Sequence, residues 1–388
     1  MKYLENVCTE VERNKKIYHP ISPEIVMTSS FYFQNFQEYV EACKNEAQSY
    51  VYTRGNNPTT ELLEKKLATL EGGQRCKVFA SGMGAISASL FTLLSSGDHV
   101  LLLNTVYGTA KSTIQYMEKY GVTYDVLNST DLKDIERALK DNTKMIYFES
   151  PSSQKFELVD LGEVSKIAKE RGIYTVIDNT WASPLFQNPL KYGIDVVIHS
   201  CSKYISGHSD AVAGAVISSD EIISDIEDHG FMYLGSTCSP INTFLLLRGL
   251  RTLPVRMNKF NDSIKKILDV LKEDDRIEKI YHPYVGDDYQ KELANKYLSG
   301  YGSLFAIDLK DPDLDKLARF VETLKIFTLG VSWGGFESLV LPVFKGDNQQ
   351  SIIDRGLSLT HVRMYVGLEN PDSLIEDVKN ALDSVYGG

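Results

Sequence analysis

The stretch "YGIDVVIHSCSKYISGHSDA", Tyr192 to Ala211, runs from an apolar segment straight into a polar cluster around one lysine. Ile194 to Ile198 has the length and β-branched content of a strand buried on both faces, the pattern of a parallel sheet. Lys203 then stands just past the carboxyl end of that strand. A solvated loop would account for the Ser, Gly and Asp around it. Ligands of open α/β sheets, however, bind at carboxyl strand ends, and a lysine partly removed from water there favours the neutral amine that Schiff-base chemistry needs.

Outward from this stretch, helical and strand patterns alternate. The segment "PTTELLEKKLATLEGG" (58–73) opens on Pro and Thr, repeats Leu at helical spacing and stops at Gly72-Gly73, which predicts a capped helix. Strands are predicted at "KVFAS", "DHVLLLN", "KMIYFES", "YTVIDN", "DVVIHS" and "GAVISS", with amphipathic helices such as "DLKDIERALKDN" and "LGEVSKIAKERG" between them. This is the signature of an α/β fold with a mainly parallel sheet covered by helices. After about Leu250 longer helices (255–274, 312–324, 371–386) alternate with a few strands (303–309, 338–343, 361–368), which predicts a smaller α+β C-terminal domain. Three parts follow: an arm at 1–55, a cofactor-binding domain at 56–250 and the C-terminal domain at 251–388.

Composition limits the function. Hydrophobic residues make up 43% and charged residues 24% of 388, and the net charge is −11, with no Lys/Arg stripe to follow phosphates, so nucleic acid is not an expected partner. No stretch reaches the roughly 18 apolar residues of a membrane span, and the charged amino terminus has no signal-peptide core; a cytoplasmic protein is expected. The five cysteines show no CxxC spacing, so neither a disulfide framework nor a metal site is expected. Cys201, two residues before Lys203, reads as a nucleophile or as a small buried side chain.

Other residues gather at strand ends. "SGMGAIS" (81–87) follows a strand and opens a helix, one residue short of the dinucleotide fingerprint. Gly82 permits close backbone approach, and free N–H groups at a helix start favour a phosphate, whether of NAD or of another cofactor; a plain glycine turn is the structural alternative. Asp178, in "VIDNTWASP", is a helix cap or a functional carboxylate. It precedes Lys203 by 25 residues, the length of one crossover, so the two can occupy neighbouring strand mouths. Together they suit pyridoxal phosphate, which needs a carboxylate at its ring nitrogen and a lysine at its aldehyde. Tyr107 follows "HVLLLN" and either packs beneath the next helix or stacks on a flat cofactor.

These motifs, with "YVYTRGNNPT", "LEGG", "LRGLRTLPVRM", "SWGGFESL" and "VRMYVGLEN", run in order along nearly the whole chain. The chain resembles the pyridoxal-phosphate enzymes of cysteine and methionine metabolism, which include cystathionine β-lyase, cystathionine γ-lyase, cystathionine γ-synthase and methionine γ-lyase. The resemblance implies the pyridoxal-phosphate-dependent transferase-like fold of type I, that of aspartate aminotransferase. It implies that Lys203 holds the cofactor, Asp178 pairs with its ring nitrogen and Tyr107 stacks on it. The phosphate would be held by the backbone of Gly82 and Met83 and the hydroxyls of Ser200 and Ser202. Tyr52 and Arg54 would reach the phosphate in a neighbouring subunit, so the resemblance implies a homotetramer built from site-sharing dimers. Arg363 would grip the substrate carboxylate, with Ser332 and Trp333 at the substrate pocket.

Departures from the family pattern bear on substrate. Ser202 stands where Thr is usual, Ser153 where many members have Asn, and Thr109 where methionine γ-lyases have Cys. The "SWGG" of 332–335 matches enteric-type cystathionine β-lyases, whereas Val331 is more like methionine γ-lyase. The expected activity is α,β-elimination of L-cystathionine, and of cysteine, to pyruvate, ammonia and a thiol. The alternatives are γ-elimination or γ-replacement in the same family and, remotely, an NAD-dependent oxidoreductase built on "SGMGAIS".

Overall fold

The computed structural model describes residues 2–12, 19–44, 46–103, 105–387. Seven strands, β1 (Arg75–Phe79), β2 (His99–Leu103), β3 (Thr123–Leu127), β4 (Thr143–Glu149), β5 (Tyr174–Asp178), β6 (Val196–His199) and β7 (Gly214–Ser218), form one sheet in the order β1-β7-β6-β5-β4-β2-β3. The pairs from β3 through β2, β4 and β5 to β6 are parallel; β7 runs antiparallel to both β6 and β1. The expected mainly parallel sheet is present, and its parallel part brings the carboxyl ends of β2, β4, β5 and β6 to one edge.

Both faces are buried, and the period-two alternation of strands decides which side chain goes where. Leu101, Leu103, Ile146, Phe148, Ile177 and Val197 enter one core. Val100, Leu102, Met145, Tyr147, Val176 and Ile198 enter the other. The first core is closed by the helix Pro58–Glu71, the helix Leu161–Glu170 and the 32-residue helix Pro240–Leu271. The second is closed by the helices Gly82–Leu93 and Gly108–Tyr116. Removing a Leu from either core to Ala costs about 2–5 kcal/mol, so the edge that carries the site rests on a rigid base.

The helix Pro58–Glu71 forms where its caps dictate: the Asn57 side chain accepts from Thr59 N, Pro58 opens the first turn, and Gly72 ends it at φ 77°. The helix predicted at 255–274 begins 15 residues earlier, at Pro240; Ser239 caps it by accepting from Asn242 N at 3.2 Å, and Pro254 lies inside it. The expected boundary at 250/251 thus falls within one continuous helix. A second sheet, β10-β11-β12-β9-β8, is built from β8 (Ile277–Tyr281), β9 (Leu304–Leu309), β10 (Thr328–Leu329), β11 (Leu339–Pro342) and β12 (His361–Tyr365). The helices Leu314–Thr323 and Pro371–Tyr386 cover it around Phe305, Ile307, Phe320, Val362 and Val378.

In the first 55 residues the helix Lys2–Thr9 buries Val7 and Cys8 in the first core, whereas the helix Phe36–Lys44 buries no side chain. Among the described residues no helix is long and apolar enough to cross a membrane. All five cysteines are free, and only Cys43 is exposed.

Candidate active site

Lys203 lies in the turn that follows β6. Its backbone N–H donates to Ser200 O at 3.1 Å, its carbonyl accepts from Gly207 N at 2.7 Å, and its Nζ lies 3.5 Å from Ser200 Oγ. Burial pushes the Lys203 ammonium below its ordinary pKa, the charge of Asp178 works against that, and the nearby Arg363 guanidinium adds to it. A lysine so placed supplies neutral amine more readily than a surface lysine.

Asp178 is the last residue of β5, one strand over, and pairs in register with Ile198. Its Oδ1 accepts from the backbone N–H of Thr180 at 3.0 Å and from the Thr180 hydroxyl. Thr180 Oγ1 in turn accepts from Ser200 N at 2.8 Å. Asp178 thus closes the turn after β5, and its charge is felt by Lys203 on the neighbouring strand's turn. Burial raises its pKa, opposed by the Thr180 hydrogen bonds and then by His199 and Lys203.

Gly82 opens its helix directly against Ser200: a Cβ there would stand 3.1 Å from Ser200 Cβ and 3.2 Å from its Oγ. Ser81 caps that helix through Gly84 N at 3.0 Å, which leaves the Gly82 and Met83 amides as first-turn donors that no preceding turn can satisfy. With the Ser200 hydroxyl they make a donor set suited to a phosphate. The Ser202 hydroxyl is engaged elsewhere, donating to Ala213 O at 3.2 Å and accepting from Ala213 N at 3.0 Å.

Arg363, on β12, reaches across from the second sheet. Its Nη2 donates to Ser332 O at 2.9 Å; among the described residues no ion pair engages it. Burial pushes its pKa down to about 10, against the pull of Glu149. Ser332 is held at φ 74°, and the adjacent Trp333 packs edge-on to Tyr204 at 5.2 Å with Lys203 Nζ 5.8 Å from its ring centroid. Trp333 thus packs against the core and also stands beside the lysine. A Cβ on Gly334, at φ +95°, would lie 2.7 Å from the Lys203 backbone.

Tyr107, 48% exposed, precedes its helix and donates from its backbone N–H to Glu149 Oε1 at 2.5 Å. Tyr52 and Arg54 are not brought to Lys203 within the chain. Arg54 donates to Met232 O at 3.1 Å, lies 3.6 Å from Glu46 and 5.9 Å from the Tyr52 ring, and both side chains are exposed.

Three groups escaped the sequence reading. Glu149 ends β4, directly opposite Asp178; burial, then the Asp178 charge, pushes its pKa up to about 8. Thr180 links Asp178 to Ser200. Behind them, buried His199 pairs with Glu71, which also accepts from Asn179 Nδ2 at 2.8 Å. Glu149 carried the signal that singled out Asp178, an acid closing an apolar strand.

The profile of the family described as "Cys/Met metabolism PLP-dependent enzyme" matches residues 6–383. The chain belongs to that family. An L-methionine gamma-lyase of Fusobacterium nucleatum subsp. nucleatum is 33% identical over 382 residues, covering 96% of this chain and 95% of that one. A cystathionine beta-lyase of Lactococcus lactis subsp. cremoris is 37% identical over 350 residues, covering 87% and 90%. The structure of a putative O-acetylhomoserine (thiol)-lyase from Campylobacter jejuni, which carries a pyridoxyl-lysine phosphate, superposes with a TM-score of 0.91 at 28% identity, covering 98% of this chain and all of that one. As a Cys/Met metabolism enzyme of the type I fold, the chain depends on pyridoxal phosphate, which displaces the NAD reading of "SGMGAIS".

Proposed function

We propose that this enzyme is a carbon–sulfur lyase that catalyses α,β-elimination of L-cystathionine to homocysteine, pyruvate and ammonia, with L-cysteine as a further substrate that yields hydrogen sulfide. The observation that carries the reading is Trp333, 5.8 Å from Lys203 Nζ and braced by Tyr204. A large fixed ring beside the lysine limits how the long arm of cystathionine can lie and favours the pose with its cysteine end at Lys203.

When bound, pyridoxal phosphate supplies the electron sink for the bond broken at Cα. Lys203 would hold it covalently and Asp178 would face its ring nitrogen. Tyr107 would stack on the ring, and Gly82, Met83, Ser200 and Ser202 would take the phosphate, which Tyr52 and Arg54 complete from a second copy of the chain. Ser202 would release Ala213 O by rotating its hydroxyl. Arg363 offers two parallel donors to the substrate carboxylate and so orients Cα towards Lys203. The Lys203 amine would remove the Cα proton. The bond from Cβ to sulfur breaks, and Lys203 or Tyr107 gives the departing sulfur a proton. Water converts the remaining three-carbon fragment to pyruvate and ammonia.

One observation favours γ-elimination or γ-replacement instead. Val331 is 78% exposed beside Ser332 and offers no charge to the far amino and carboxylate groups of cystathionine, which suits an S-methyl group better. Product analysis on L-cystathionine separates the readings. Pyruvate with homocysteine supports β-elimination; 2-oxobutyrate with cysteine overturns it and leaves the cofactor assignment standing. Trp333→Ala should erode the selectivity.

We also propose a cytoplasmic homotetramer of site-sharing dimers, with the 1–55 arm serving the neighbouring copy, the cofactor domain at 56–250 and the C-terminal domain at 251–388. The exposed arm residues Tyr32, Phe36 and Tyr52 support this assembly.

A further inference from the structure

We propose that Glu149 is a positioning residue that fixes Tyr107 at the cofactor site; the inference rests on the reading that Tyr107 stacks on the ring. Its carboxyl group joins the loop after β2 to the loop after β4. One oxygen accepts from Tyr107 N at 2.5 Å, and the other accepts from the Ser153 hydroxyl. A third bond closes the joint, Ser153 N to Thr105 O at 3.0 Å. Tyr107 has no side-chain cap at the start of its helix; its carbonyl accepts from Ala110 N at 3.0 Å and Lys111 N at 3.2 Å in its own first turn, so the bond to Glu149 is what ties this half-exposed residue to the end of β4.

The cost of the arrangement argues for a purpose. Glu149 is 7% exposed and sits in register beside Asp178, where a second acid is unfavourable both by burial and by like charge. A Thr or Asn could cap the same amide without that penalty. The carboxyl group does what shorter acceptors cannot: from the end of β4 it reaches the Tyr107 amide and the Ser153 hydroxyl at once. It also places a titratable group within electrostatic reach of both Asp178 and Arg363, the residues proposed for the ring nitrogen and the substrate carboxylate. Ser153, where many relatives have Asn, thereby gains a role as the second donor to this carboxyl group.

The test is a double-mutant cycle on cofactor affinity, measured by titrating the cofactor-stripped full-length protein with pyridoxal phosphate. Glu149→Ala and Tyr107→Ala should each weaken binding about tenfold, or about 1.4 kcal/mol. The double variant should be no weaker than Tyr107→Ala, because Glu149 acts through that ring. Glu149→Gln keeps an acceptor for Tyr107 N and an amide for the Ser153 oxygen, and should restore affinity to near wild type. Glu149→Asp, which preserves charge and withdraws the acceptor, should behave as Glu149→Ala and supplies the cycle if the alanine variant does not fold. Losses that multiply in the double variant overturn the proposal and leave Tyr107 stacking intact. Undiminished affinity in Tyr107→Ala overturns both.

Discussion

Arg363 Nη2 donates to the carbonyl oxygen of Ser332 at 2.9 Å, so a half-buried guanidinium is aimed by a backbone atom and keeps its remaining donors for another group. The bond ties the second sheet to the turn that carries Trp333, and it fixes the fork of the guanidinium before any substrate arrives. Preorganisation of this kind lowers the ordering cost of binding.

Arg363→Lys should therefore raise KM for the amino-acid substrate more than it lowers kcat. A lysine provides one charge without the two parallel donors, and losing a charge-assisted hydrogen bond costs about 1.5–3 kcal/mol, or roughly 10- to 150-fold. Steady-state kinetics on L-cystathionine checks this. An unchanged KM would remove Arg363 from the substrate carboxylate.

The raised pKa of Glu149 has a consequence for stability. In the unfolded chain this carboxyl group titrates near 4.5, whereas in the folded protein burial and the Asp178 charge hold its proton to higher pH, with Arg363 pulling the other way and Tyr147 lying close by. Between the two values the folded state binds the extra proton, so stability falls as pH rises from about 5 towards 8. Glu149→Gln removes this group's share of the slope and leaves that of Asp178, whose pKa burial also raises. Urea unfolding of the cofactor-free protein at pH 6 and pH 8 should show a smaller loss for the variant.

Lys77 is 2% exposed and donates to Glu227 Oε1 at 2.6 Å and to Gly55 O at 2.9 Å, the carbonyl next to Arg54. Lys77→Met leaves Glu227 buried with only Arg75 Nη2, at 2.5 Å, as a counter-charge, and should destabilise the fold by about 3–5 kcal/mol. The double variant Lys77→Met/Glu227→Leu should recover part of that loss by removing the Glu227 charge, but not all of it, because buried Glu64, 3.7 Å from Lys77 Nζ, still loses its counter-charge. Urea midpoints of the two variants decide it.

Subunit mixing tests the shared site. Lys203→Ala should abolish borohydride-fixed cofactor on the Lys203 peptide and all turnover. Arg54→Ala should also be inactive if it serves a neighbour's phosphate. Hybrids of the two should regain activity, because one site per pair then holds both an intact lysine and an intact arginine. Silence after proven exchange would place Arg54 in its own chain's service.

What could be read from the sequence follows the physics of burial. Strands β2, β4, β5, β6 and β7 are buried on both faces and appear as apolar runs, so the strand ends beside which Lys203 and Asp178 stand are legible in the sequence. β3 was missed because it lies at the sheet edge with Thr123, Asp125 and Val126 exposed, which leaves no apolar run to see. The amino-terminal half of the helix Pro240–Leu271 was missed because Pro254 interrupts its pattern, although a capping serine stands at its start. Glu149 was hidden for a different reason. Its meaning depends on register with β5, and register between strands separated by a helix is not written in either strand alone.

Gly334 sets a limit on redesign. Its backbone lies so close to that of Lys203 that any side chain would strike the lysine's Cα, and its φ of +95° excludes most residues in any case. Libraries aimed at the proposed substrate pocket should leave 334 invariant and direct variation to its neighbours Val331 and Trp333.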